Sequence, residues 1–346
     1  MLRDKIADFY AKTKPILTEL GKNAKKYTRY IRLNTDSYSS ISRYVFVLSV
    51  LALLFLYYPL GALLSEKIER NTDIDINSSI GNQSQTINMV SYLVNQEVNE
   101  KIWTPNLPFF FPAAILDNMP NYQLGMMNGI SKFTTAFEKR LDKDVEDKEN
   151  NSDLYRAATM LRYSGTIWMF DPNNKIKPVP SASSQYRKAR RKLNKYNQEL
   201  AIGVISFKKN IDDLIFILKN TNENLAQSSN QLTAWIRENS TNWIDLKADD
   251  KFYYNQGKAY AYYMLLKALG LDYQEIIVNN NQYQTWISLI KALQDACLIQ
   301  PRIVRNAELS SSLAPNHLMY LNNYLLKAQN VIAKLIRNLN EQKKVF

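Results

Sequence analysis

The sequence predicts an all-α protein: a single N-terminal transmembrane helix, then an exported helical bundle with one very long helix (about 184–238) and a long C-terminal helix (about 315–342). Three observations carry this prediction. Residues 44–64, YVFVLSVLALLFLYYPLGALL, contain no charge. Two long stretches place apolar or small residues at alternating steps of three and four. Glycine, nine in all, is too scarce for the many tight turns of a sandwich or barrel.

At 1.5 Å per residue, a helix over 44–64 reaches roughly 30 Å, the thickness of a hydrocarbon core. Tyr44 at one end and Tyr57 and Tyr58 near the other sit where interfacial aromatics belong, and Pro59 with Gly61 bends only the last turn. A buried helix of a soluble protein would normally carry a polar face, and this run has none. Residues 1–43 hold ten Lys or Arg against four Asp or Glu, whereas residues 65–75 hold two basic and four acidic. The basic end stays in the cytoplasm, so the bulk of the chain is expected on the far side. The basic region before the run is too long, and the run itself too long, for a cleaved signal peptide. The expected domains are a basic tail (1–43), the span (44–64), a spacer (65–82) and an exported helical domain (83–346).

The net charge is +12, and the short tail supplies half of it. The basic balance therefore reflects topology and does not imply a nucleic-acid partner. Cys297 is the only cysteine and His317 the only histidine. No intrachain disulfide can form, a zinc site of the His/Cys type is excluded, and only one Ser-His-Asp or Cys-His pairing is conceivable. Accordingly no cofactor, no metal and no catalytic residue is predicted.

In the tail, Leu2, Ile6, Phe9, Ile16, Leu17, Leu20 and Tyr27 recur near a helical period between lysines and arginines. They suit either a basic amphipathic helix on an anionic leaflet or a disordered tail that only sets topology. After the spacer, Ile87, Val90, Val94 and Val98 predict a helix over about 83–101. It must stop at WTPNLPFFFPAAILDNMPNYQ (103–123), where four prolines in eighteen residues forbid a long helix. A rigid loop pinned to the core by Trp103 and Phe109 to Phe111 is expected. Helices follow over about 122–141 and from about 154 to Ser164 and Gly165, separated by the solvated run DKDVEDKENNSD. TIWMFDP (166–172) reads as a brief extended piece.

From Tyr186 to Trp235 the steps alternate three and four, with one extra four between Leu200 and Val204, next to Gly203. This is a heptad seam with a single stutter, read as one helix of about fifty residues, on the order of 75 Å if unbroken. An aromatic-rich helix from about 252 closes at Gly270, and two further helical pieces, about 272–279 and 282–299, stop at Pro301. The last seam, Leu318, Leu321, Leu325, Ala328, Ile332, Leu335 and Leu339, makes the C-terminal helix a natural partner for the long one.

Trp103-Thr-Pro-Asn-Leu-Pro-Phe-Phe-Phe-Pro112 with Leu116-Asp-Asn-Met-Pro-Asn-Tyr-Gln123 resembles the signature of a bacterial inner-membrane family known as domain of unknown function 2333. Tyr163-Ser-Gly-Thr-Ile-Trp-Met-Phe170 and Val179-Pro-Ser-Ala-Ser-Ser-Gln-Tyr-Arg-Lys-Ala-Arg190, leading into Lys195-Tyr-Asn197, resemble it too. The resemblance implies a bacterial envelope protein with a short cytoplasmic end, one span and a helical exported domain. It brings no established activity and no catalytic residues.

Two candidate sites stand out. Trp103, Asn106, Asp117, Asn118, Asn121 and Gln123 could present amides and a carboxylate beside apolar walls, as binding pockets do. Alternatively they form a structural plug whose polar side chains cap the proline-broken backbone. Arg187, Lys188, Arg190, Arg191, Lys192 and Lys195 put six cations into nine residues, suited to anionic lipid, an acidic partner or glycan carboxylates, or simply to a solvated helix start. Glu97 and Asp117 could be imagined as a glycosidase pair, although acids on helix and loop surfaces are commonplace. The expected function is a non-enzymatic envelope protein that binds or scaffolds other envelope components, with membrane lipid, envelope proteins or peptidoglycan as partners and a homo-oligomer through the seams. The alternative is a periplasmic enzyme or ligand-binding module acting on peptidoglycan or lipid through 103–123.

Overall fold

Capping residues set most helix boundaries. The structure is a computed structural model and describes residues 18–19, 21–23, 25–26, 40–65, 68, 71–74, 82–141, 152–171, 174–240, 245, 247–307 and 315–343. Described tail residues between 18 and 26 are helical and exposed; the rest of the amphipathic-tail expectation lies outside the described residues, as does the connection 142–151. The chain divides into two units, residues 1–60 and 61–346.

The first unit carries most of α1 (Ser40–Ser65), whose apolar part, Tyr44–Ala62, is long and apolar enough to cross a membrane. Its described side chains from Tyr44 to Leu60 are exposed, Phe46, Leu53 and Phe55 by 70%, 69% and 75%.

The second unit is all-α apart from a small antiparallel ribbon. Its helices are α2 (Gln85–Asn95), α3 (Asn118–Leu141), α4 (Asp153–Leu161), α5 (Ala182–Ala201), α6 (Ile211–Asn239), α7 (Ala248–Asp272), α8 (Gln274–Asn279), α9 (Tyr283–Cys297) and α10 (His317–Lys343). The ribbon pairs β1 (Phe170–Asp171) with β2 (Asn174–Pro178), Phe170 opposite Pro178. Ser84, Ser152 and Ser181 cap α2, α4 and α5 by accepting from the amides of Ile87, Tyr155 and Ser184. A single π turn, Gln96–Glu100, extends α2 to the proline-rich loop.

At the centre lies α7, packed against α2, α3, α9 and α10. It touches α3 most closely. A Cβ on Gly125 would run into the Tyr254 carbonyl, and one on Gly257 into the Tyr122 carbonyl, so both glycines are required for the two backbones to meet. Asp272, at the far end of α7, receives Ser84 Oγ (2.6 Å) and the amides of Gln85 (2.9 Å) and Thr86 (2.9 Å). One carboxylate thus serves the open N-terminus of α2 from another helix.

The expected fifty-residue helix is two helices. Gly203 takes φ 75°, Val204 N donates to Glu199 O (3.0 Å) and Gly203 N to Leu200 O (3.2 Å), which together form a Schellman end to α5. Asn210 then caps α6 by accepting from Asp213 N (2.9 Å). The seam divides where the stutter falls, and its halves find different partners: α5 lies on α4 and α2, α6 on α10 and α3. The C-terminal helix pairs with the second half, whereas the sequence suggests the long helix as a whole. Both seams close within the chain, with Leu214, Leu218, Leu225 and Leu232 buried opposite Leu318, Leu321, Leu325 and Ile332. A buried polar layer, Ser229 Oγ to Asn322 Oδ1 (2.6 Å) and Asn322 Nδ2 to Thr233 Oγ1 (3.0 Å), joins α6 to α10.

Part of the expected spacer is tied down. Tyr260 and Tyr263 of α7 donate to the carbonyls of Asn71 and Thr72, each at 2.9 Å. Lys267 Nζ reaches Thr72 O and Ile74 O, both at 3.2 Å.

Candidate functional site

Each Pro in 103–123 removes a backbone donor, and side chains hold the loop instead. Trp103 is buried, its indole donating to Gly165 O (2.9 Å) with its ring edge-on to Tyr186 at 5.2 Å. Asn106 Nδ2 donates to Ile167 O (2.7 Å), fastening the loop to the segment that leads into β1. Gln123, fully buried, accepts at Oε1 from Thr104 N (2.9 Å) and Thr104 Oγ1 (2.7 Å) and donates from Nε2 to Glu97 Oε2 (2.9 Å) and Ile102 O (3.0 Å). Glu97 is 1% exposed and pairs with Lys101 at 2.7 Å, while Asp117 is exposed, so the imagined carboxylate pair occupies two different surroundings. The expectation that Phe109 to Phe111 pin the loop is corrected: they are 82%, 48% and 40% exposed, and Trp103 alone of the four points inward. The turn bonds Leu107 N to Thr104 O (3.1 Å) and Phe111 N to Pro108 O (3.0 Å) fix the backbone without the rings.

Asp117, Asn118 and Asn121 form a separate group at the start of α3. Asp117 Oδ1 accepts from Asn118 N (2.8 Å), and Asn121 Nδ2 bridges Asp117 O (2.9 Å) and Asp250 Oδ1 (2.5 Å). Burial, then the charges of Asp117 and Asp245, raises the Asp249 carboxyl above its usual range; burial, then Asp249 and Asp117, raises that of Asp250. Beside them opens a groove of about 600 Å³ between α6 and α7, lined by Asn121, Trp235, Glu238, Asp250, Lys251 and Asn255. Trp235 donates to Asp245 Oδ2 (2.9 Å), and the Lys251 ammonium stands 5.0 Å over its ring. Asn255 donates to Lys251 O (2.8 Å), while its buried Oδ1 has no acceptor role among the described residues. The groove offers an indole wall with both signs of charge and free amide chemistry, the features of a small polar ligand's site.

The basic cluster lies along α5 and is partly engaged. Arg187 donates to Val98 O (2.6 Å) and Asn99 Oδ1 (3.0 Å), closing the π turn. Lys192 and Lys195 each reach Asp153 at 2.8 Å. Burial draws the Asp153 carboxyl upward, but the two lysines more than reverse it and the net shift is down. Lys188 and Arg191 remain exposed and Arg190 half-buried. His317 opens α10, its Nδ1 accepting from Arg305 N (3.0 Å).

Sequence reasoning missed Trp235, Asp249, Asp250 and Lys251. Trp235 belongs to the heptad seam, and Asp249 and Asp250 fall between two predicted helices. The Asp249-Asp250 pair at a helix start was the one available signal.

Among curated proteins and among solved structures, no match is found. A family model described as an uncharacterized protein conserved in bacteria matches residues 106–238 and 206–342, which takes in all but the first three residues of the loop, the groove and both seams. The chain therefore belongs to that bacterial family, domain of unknown function 2333.

Proposed function

We propose that the chain is a non-enzymatic, single-pass protein of the bacterial inner membrane, with its N-terminus cytoplasmic and a periplasmic helical domain that binds or scaffolds other envelope components. The observation that carries this reading is the charge-free helix Tyr44–Ala62, whose described side chains up to Leu60 are exposed and which is joined to a domain whose interior is filled. The charge contrast across the span supports the orientation. Both seams are closed within the chain, which supports scaffolding through other surface, with the exposed Lys188 and Arg191 suited to acidic partners. Two measurements test it together. A C-terminal alkaline phosphatase fusion should be active and the protein should resist carbonate extraction; a silent fusion or a soluble protein ends the proposal. Crosslinking in intact membranes should then trap distinct envelope components, and recovery of the uncrosslinked monomer alone would remove the scaffolding role.

The second reading, a ligand-binding module, is favoured by the groove at Trp235 and Asp250 with its raised carboxyls. Binding of peptidoglycan fragments, lost in Trp235→Ala, would establish it over scaffolding.

A further inference from the structure

We infer that the exposed aromatic patch Phe109, Phe110, Phe111, Trp168 and Met169 is a membrane-contact surface, seated in the headgroup and acyl boundary of the leaflet where the span emerges. This rests on the anchored reading above.

The patch is contiguous. Phe109 and Phe110 meet at 5.7 Å between ring centroids, Phe110 and Phe111 at 4.9 Å, and Phe110 and Trp168 at 6.5 Å. Trp168 and Met169 are 40% and 43% exposed. The patch is also held firmly: Asn106 binds Ile167 O beside Trp168, and Ala114 N closes onto Phe111 O at 3.0 Å. Such a cluster of large rings toward water is costly in a soluble protein and marks a contact surface.

What it contacts follows from the next residue. Pro112 packs on Gly61 so tightly that any side chain at 61 would collide with its ring, and Ala62 is only 6% exposed. Gly61 and Ala62 are the last residues of the apolar run Tyr44–Ala62, where a span leaves the hydrocarbon. A segment touching that point stands at the depth of the interface, and the three rings directly before Pro112 share it. Phe and Trp are the side chains that gain most there, since rings enter the acyl boundary while the indole N–H stays hydrated. A protein partner would need its own surface at that depth; the lipid is already present.

The test uses the full chain in vesicles of phosphatidylcholine and phosphatidylglycerol. Cys297 is 2% exposed and burial pushes its thiol up, so Phe109→Cys can be labelled alone with an environment-sensitive fluorophore. Exposed Glu275, as Glu275→Cys, gives the reference label. The label at 109 should be blue-shifted and quenched several-fold more than that at 275 by lipids carrying a nitroxide near the headgroup. A protein that floats with the vesicles while both labels quench equally would overturn the patch and leave the anchor standing. A protein that does not float would overturn the anchor and the patch with it. Shielding of residue 109 only in native membranes, through a crosslink to a protein, would also overturn the lipid assignment.

Discussion

Lys258 is 4% exposed, and among the described residues its ammonium donates to Asn224 O at 3.2 Å. Burial, reinforced by Lys132, lowers its pKa to about 8, against roughly 10.4 in an unfolded chain. Between these values the unfolded chain binds the extra proton, so this residue makes stability rise with pH there and its penalty is complete below about pH 8. Lys258→Met should therefore raise the denaturation midpoint at pH 7, by about 3 kcal/mol at most, and flatten the stability slope between about pH 8 and 10. Gln123 behaves oppositely, since all its hydrogen bonds are made inside. Gln123→Leu would strand Thr104, Glu97 and Ile102 O, and urea unfolding should register a loss of roughly 2–4 kcal/mol. A polar loop residue of this kind looks identical in sequence whether it greets a ligand or a carbonyl. That is why Asn106 and Gln123 could be singled out but not decided between pocket and plug, whereas Trp103 was expected in the core.

Periodic burial made the helices legible. Repeats of three and four report which face is covered, and α6 and α10 were paired on that basis alone. The break between α5 and α6 also left marks, the stutter, Gly203 and the Asn210 cap, although heptad continuity outweighed them. What was not legible is convergence across long separations. Asn121, bonded to Asp117 O, meets Asp250 across 129 residues, and no local pattern encodes that. Phe109 to Phe111 failed for another reason: a run of rings has the same pattern against a core or against lipid. The crossing of α3 on α7 gives a sharp check. Gly257→Ala must push the Tyr122 backbone away, with an expected cost of about 1–3 kcal/mol and a lowered thermal midpoint by circular dichroism. A fully tolerated alanine would contradict the close approach.

For the molecule as a whole, the second unit begins before the expected spacer ends. A fragment starting at Gly61 should fold cooperatively, keeping Asn71, Thr72 and Ile74 as acceptors for Tyr260, Tyr263 and Lys267. A fragment starting at residue 83 should retain its helical signal but melt several degrees lower, as read by scanning calorimetry. The helical class and an apolar helix long enough to cross a membrane were legible because composition alone decides them; the fastening of residues 71–74 was not, since NTDI gives no hint of what it binds.

One consequence remains in α7, which is covered by four other helices. A helix with no wet side offers no position where substitution drifts silently. Tolerance profiling by saturation mutagenesis should therefore reveal an unbroken rigid block from Phe252 to Leu269, with no three- or four-residue rhythm, while α6 and α10 alternate between permissive and forbidden sites.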